Sequence, residues 1–201
     1  MIAIIDYDAG NIKSVEKAVA KLGYQPMLTR DPEKILNSDK VILPGVGAFG
    51  DAMETLTRYD LVSVVQQVAR EGIPLLGICL GLQLFFEDSE ESEGVPGIGI
   101  LKGHIKRIPR GEYKKIPHIG WNSLKLSHDG RLFRGIEEDS CVYFVHSYYL
   151  EADERDIVKA QTSYNVAIDA SVEKDRVFAC QFHPEKSSVV GLTILRNFLE
   201  L

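Results

Sequence analysis

Cys79 stands in the run PLLGICLGLQLFF, between an apolar strand-like stretch and an apolar helix-like one, with Gly77 and Gly81 two positions to either side. A nucleophile on a tight strand-to-helix turn needs small residues at those positions, because the backbone there folds back on itself. Such an elbow exposes the side chain above a sheet and sets it at a helix N-terminus, where the dipole favours a thiolate. It also leaves the amide N–H of the next residue, Leu80, free to stabilise an oxyanion.

A cysteine nucleophile needs a base, and ACQFHPEKSS supplies one. His183 and Glu185 flank Pro184 at the end of a strand-like run. The proline fixes its own φ and biases His183 to an extended conformation. In an extended segment residues i and i+2 point the same way, which brings Glu185 to the imidazole. Cysteine, histidine and carboxylate together make an activated nucleophile: the histidine takes the thiol proton and later protonates a leaving amine, while the carboxylate holds its tautomer. His104, His118 and His128 read as surface or structural residues. Cys141 and Cys180 lie in apolar strand patterns without a comparable partner and read as core.

The elements that must position these groups alternate through the first half of the chain. MIAIID, QPMLT, KVILP and IPLLGIC read as strands. Ile12 to Leu22 has helical periodicity and a stop at Gly23; DPEKIL has Asp31 as N-cap and Pro32 at the first helical position; Leu61 to Arg70 is amphipathic. Alternation at this spacing predicts a parallel sheet with helices on both faces. Then the character changes. EDSEESEG, Glu87 to Gly94, reads as a solvated loop. GIGILKGHIKRI, NSLKLS, CVYFVHSYYL, DIVKAQTSY and RVFACQFHPE read as antiparallel or mixed extensions of the sheet, and Val189 to Leu201 as a closing helix. The fold class expected is a single three-layer α/β domain over residues 1–201, with no internal boundary.

Composition sets outer limits. The 201 residues are 45% hydrophobic and 26% charged, with a formal net charge of −6, which argues against nucleic acid or an anionic membrane surface as the main partner. No apolar run approaches the ~20 residues of a membrane span. The N-terminus has no basic region before its first strand, so a cytoplasmic location is the expectation. Three cysteines without a C-x-x-C arrangement speak against a disulfide framework or a structural zinc site.

VILPGVGAFGD contains Gly45, Gly47 and Gly50 in the pattern G-x-G-x-x-G, the look of a dinucleotide-binding turn. That turn belongs in the first βαβ unit, with an acidic residue ~20 positions on at the end of the next strand. Here it follows the third strand, and the next strand ends at Cys79. Three readings follow from the residues: a cysteine-dependent amide hydrolase, a nucleotide-binding α/β domain, and another acyl-transfer enzyme such as a cysteine peptidase or γ-glutamyl hydrolase.

PGVGAFG, GICLGLQ, PHIGWN, FVHSYY and QFHPEKSS, in this order over nearly the whole chain, resemble the triad (class I) glutamine amidotransferases. With DYDAGN, they are most similar to the glutaminase subunits of imidazole glycerol phosphate synthase; other synthases' glutaminases share the elbow and the H-P-E run. The resemblance implies a flavodoxin-like fold and hydrolysis of L-glutamine through a glutamyl thioester on Cys79. His183 would be general base and acid, Glu185 its orienter, and the Val46 and Leu80 amides the oxyanion hole. Gln83, Gly47, Ser147 and Tyr148 would hold the substrate. Neither cofactor nor metal is implied. The implied partner is a cyclase subunit, a (β/α)₈ barrel that receives the ammonia, with Asn11, Trp121 and Lys186 near the interface.

Overall fold

The computed structural model describes residues 1–111, 115–127 and 129–201; His128 lies outside the described residues. The first half runs β1 (Ile2–Ile5), α1 (Ile12–Lys21), β2 (Pro26–Thr29), α2 (Pro32–Leu36), β3 (Lys40–Gly45), α3 (Phe49–Arg58), α4 (Leu61–Arg70), β4 (Leu75–Cys79) and α5 (Leu80–Leu84). The second half contains β5 (Asp88–Ser89), β6 (Gly103–Arg107), β7 (His118–Ser123), β8 (Lys125–Leu126), β9 (Cys141–His146), β10 (Tyr148–Ala152), β11 (Val158–Tyr164), β12 (Val166–Lys174), β13 (Val177–Cys180) and α6 (Ser188–Leu199). Local chemistry starts and stops these elements as expected. The Asp31 side chain accepts from the Glu33 and Lys34 amides ahead of α2, with Pro32 at its first position. Gly23 ends the α1 turn with φ +88.

Eight strands form the main sheet in the order β2-β1-β3-β4-β13-β12-β11-β8. Pairing is parallel from β2 to β13 and antiparallel from there to β8. Side chains alternate across it. Ala3, Ile5, Val41 and Leu43 face α2, α3 and α4, where Ile35, Phe49, Leu56, Val65 and Val68 are buried. Ile2, Ile4 and Ile42 face α1 and α6, where Val15, Val19, Ile194, Leu195 and Phe198 are buried. These are the three layers of an α/β domain. Among the described residues no helix is long and apolar enough to cross a membrane.

The second half departs from the sequence reading in five places. First, β12 is a strand the apolar pattern misses, because Asp169 and Ser171 interrupt it. Both are buried and satisfied: Asp169 accepts from Arg155, Gln161 and the Ala152 amide, and the Ser171 hydroxyl donates to Ala179 O at 2.7 Å. Second, β13 is no outer extension but sits between β4 and β12. Third, CVYFVHSYYL breaks at Ser147 into β9, paired with β7, and β10, paired with β6; both pairs lie in small sheets apart from the main one. Fourth, the acidic run is more than a solvated loop. Asp88 and Ser89 pair with β6, Glu91 accepts from the Phe49 amide at 2.8 Å, and Ser92 Oγ accepts from the Gly50 amide at 3.0 Å. Fifth, Cys141 is exposed rather than core, because along β9 it is Val142, Phe144 and His146 that face inward. Cys180 is buried as expected.

Candidate active site

Strand β4 passes directly into α5, and Cys79 takes the bend with φ 55 and ψ −106. Positive φ in a non-glycine residue is strained and is found where the surrounding structure enforces it. The flanking glycines are required by packing. A Cβ at Gly77 would lie 2.6 Å from Phe85 Cε2 and 2.7 Å from Gly81 O, and one at Gly81 would run into the Leu43 carbonyl oxygen. Because α5 has five residues, its aligned dipole is small, and the partners of the sulfur are polar groups brought from distant parts of the chain instead. The Gln181 amide Nε2 donates to Sγ at 3.6 Å, and Sγ itself approaches Val145 O at 4.0 Å.

Because β13 lies beside β4, with Cys180 in register with Ile78, the chain leaves β13 next to the elbow. His183 has the extended backbone expected before proline, but residues 184–186 form a 3-10 turn rather than an extended segment. The turn, not strand alternation, brings Glu185 back to the ring. His183 Nδ1 and Glu185 Oε1 are 2.9 Å apart, with side chains 1% and 0% exposed. Asn11 Nδ2 donates to the same Oε1 at 2.6 Å, so this residue, expected at a partner interface, is drawn into the triad.

With Nδ1 committed to Glu185, Nε2 remains for Cys79. It is buried and makes no formed hydrogen bond at rest, yet the sulfur is felt there. Burial disfavours the charged ring, but Cys79 and Glu185 outweigh it and raise His183 to about 9. The imidazole is therefore expected to titrate below about 9 in Cys79→Ala and in Glu185→Gln, read from the ring 15N shifts by NMR. An unchanged titration in both variants would rule out the coupling.

A cavity of about 460 Å³ opens above the elbow. Cys79, Val46, Leu80, Gly47, Gln83, Ser147 and Tyr148 all line it, so the expected nucleophile, the expected oxyanion-hole residues and the expected substrate residues converge. Gly45 pairs with Cys79 across β3 and β4, which sets Val46 and Leu80 side by side. As the first residue of a helix, Leu80 has an N–H with no intrahelical acceptor. Lys186 also lines the cavity.

Three residues here were missed from sequence. Glu91 lines the cavity but sat inside an acidic run whose charges carry no periodicity. Its carboxylate and the Ser92 hydroxyl occupy the first amides of α3, the place a pyrophosphate takes in a dinucleotide site, so the nucleotide reading of the glycine-rich loop falls. His146 also lines the cavity. Its Nδ1 lies 2.8 Å from Tyr148 O, so Nδ1 is the donor, and Nε2 accepts from His118 Nδ1 at 2.9 Å. Burial pushes His146 down to about 3, against the Tyr148 carbonyl and with His118 and His183. The third is Gln181, fully buried behind the sulfur.

His118 is structural, stacked on Phe144 and Tyr164 with centroids 4.7 and 3.9 Å away. His104 is exposed on Asp88, and with Glu87 and Asp153 forms a group close enough to share a metal ion; none of the three lines the cavity. Trp121 is 55% exposed on β7, beside Ile119 at 57%, and packs edge-on against Tyr143 with centroids 6.0 Å apart.

A cysteine elbow backed by a buried histidine–glutamate pair, on a sheet wound in this order, defines the class-I glutamine amidotransferases. The glutamine amidotransferase class-I family matches residues 3–201. Two solved structures share the fold: a glutamine amidotransferase, with a TM-score of 0.78 at 19% identity, and a chain of PurLQS from Thermotoga maritima, with 0.77 at 20%; each match covers 99% of this chain and 97% of the other. The imidazole glycerol phosphate synthase subunit HisH of Moorella thermoacetica is 50% identical over 200 residues, covering 100% of this chain and 94% of that protein. HisH of Methanocaldococcus jannaschii is 47% identical with 100% of both covered. The chain belongs to the class-I glutamine amidotransferase family, in its HisH branch.

Proposed function

We propose that residues 1–201 form one glutaminase domain that hydrolyses L-glutamine and passes the ammonia to a cyclase subunit making imidazole glycerol phosphate in histidine biosynthesis. The observation that carries this reading is the strained Cys79 on the floor of a cavity of about 460 Å³, with His183 and Glu185 buried behind it. Sγ attacks the side-chain amide carbon, and the carbonyl oxygen takes the negative charge between the Leu80 and Val46 amides. One such donor is worth about 2.7–4 kcal/mol where it has been removed from another hydrolase. His183 protonates the departing nitrogen, leaving ammonia and a glutamyl thioester. Water, deprotonated by His183, then releases glutamate and returns Cys79. Glu185 holds the imidazole tautomer, and Asn11 holds Glu185.

Glu91 is the one carboxylate among the described residues lining the cavity, and it complements the α-ammonium of glutamine. The partner is a (β/α)₈ barrel, docked over the exposed Ile119, Trp121 and Val189. Direct transfer is needed because ammonia released into water becomes ammonium and loses its nucleophilicity. Strand β9 ties that face to the triad: Tyr143 contacts Trp121, and its carbonyl accepts from the His183 amide at 3.0 Å. A net charge of −6 disfavours nucleic acid and anionic membranes as partners, and the proposed site of action is the cytoplasm.

Glutamate release, measured with and without the cyclase subunit and its ligand, tests the reading. Wild type is expected to turn over fastest in the complex. Glu91→Gln is expected to raise KM for glutamine by about tenfold or more, the worth of a hydrogen bond to a charged group. An unchanged KM removes Glu91 from the substrate site, and no glutamate release in the complex removes the activity.

A further inference from the structure

Gln181 lies outside the triad and outside the cavity lining, yet its side chain touches the reacting atom. It is fully buried at the end of β13 and donates from Nε2 to Cys79 Sγ at 3.6 Å. The direction of that bond does not rest on an arbitrary amide orientation. It is fixed from the far end of a chain of contacts, at the backbone carbonyl of Tyr148, which can only accept. Gln83 Nε2 lies 3.1 Å from that carbonyl and is therefore the donor. The same Nε2 lies 3.0 Å from Gln181 Oε1. Turning the Gln181 amide over would set two NH₂ groups against each other, so Oε1 faces Gln83 and Nε2 faces the sulfur.

We propose that Gln181 is a catalytic hydrogen-bond donor to the Cys79 sulfur, held in that role by Gln83 and the Tyr148 carbonyl. The proposal rests on the reading of Cys79 as nucleophile. A donor to sulfur is strongest when the sulfur is charged. The bond therefore favours the thiolate twice per turnover, before attack on the amide and when thiolate leaves the thioester. In the neutral thioester between these steps it is weak. A thiolate surrounded only by the apolar residues that pack the elbow would lack this partner, and the α5 dipole is too short to replace it. Gln83 then has two duties: it lines the substrate cavity and fixes the donor behind the nucleophile.

The test is alkylation of Cys79 by iodoacetamide as a function of pH in the full chain, followed by peptide mass because the exposed Cys141 also reacts. In Gln181→Met, which keeps the side-chain length and removes the donor, the profile is expected to move up by about one pH unit. That is the tenfold thiolate population supplied by one hydrogen bond to a charged group. Glutamate release should fall about tenfold in kcat with KM little changed. A purely structural role would change rates at every pH without moving the profile. Gln83→Met leaves Gln181 in place but unanchored and should move the profile the same way by less; it decides the matter if Gln181→Met does not fold. A stationary profile in the folded variants overturns the donor role. The nucleophile reading is judged separately, by whether Cys79→Ala still releases glutamate.

Discussion

Cys79→Ala is expected to reduce glutamate release in the complex by about 10⁴-fold or more, the scale seen when a hydrolase loses its nucleophile. The loss should be this complete because nothing can substitute. Cys180 is buried, burial pushes its thiol up first among the causes, and its sulfur approaches Phe182 O at 3.5 Å. Cys141 is exposed on β9, and neither cysteine lines the cavity. Stability should hardly change. Alanine meets the same backbone strain at φ 55 that cysteine already bears, and the side chains differ by one buried sulfur. The measurement is glutamate formation against a thermal melt. Residual turnover within tenfold of wild type in a folded variant would falsify the assignment of the nucleophile.

Gly81→Ala is expected to destabilise the fold itself, by about 3 kcal/mol or more. The new Cβ would run into the carbonyl oxygen of Leu43. That carbonyl belongs to β3, which pairs with β1 on one side and with β4 on the other, Leu43 lying opposite Gly77. Neither strand can move aside without breaking ladder hydrogen bonds, so α5 and β3 must part and the Cys79 bend must open. In a protein of this size such a loss lowers Tm by roughly 6–12 °C. Gly94→Ala is the contrast: φ is +80, but nothing lies within 4 Å of the added carbon, so only the backbone strain of about 1–2 kcal/mol remains. Calorimetry on the two variants checks the difference. Equal melting temperatures would mean that the elbow accommodates a methyl group.

Much of the site was legible in the chain because its chemistry is local. The elbow is five consecutive residues, and its glycine spacing shows in the chain; Gly77 is kept small by Gly81 and the nearby Phe85, while Gly81 is kept small by the Leu43 carbonyl of β3. His183 and Glu185 meet across a single proline, although through a 3-10 turn and not through the extended geometry expected. The alternation of strands and helices up to Cys79 follows from periodicity and caps such as Asp31 and Pro32. Beyond Cys79 that signal failed where buried polar residues broke the apolar pattern itself. Strand β12 was missed because Asp169 looks like a surface residue until Arg155 and Gln161 are beside it.

What the sequence alone determined, then, is the reactive atoms and the bends that present them, since bond geometry and side-chain size act over a few residues. What only the tertiary structure decided is which distant groups stand around those atoms. Inserting β13 next to β4 brings His183 and Gln181 to the elbow from about a hundred residues away. The loop before α1 brings Asn11 to Glu185, and the acidic run brings Glu91 to the cavity. Strand order and loop path are set by the burial of the whole apolar surface at once, and no short stretch of chain carries that sum.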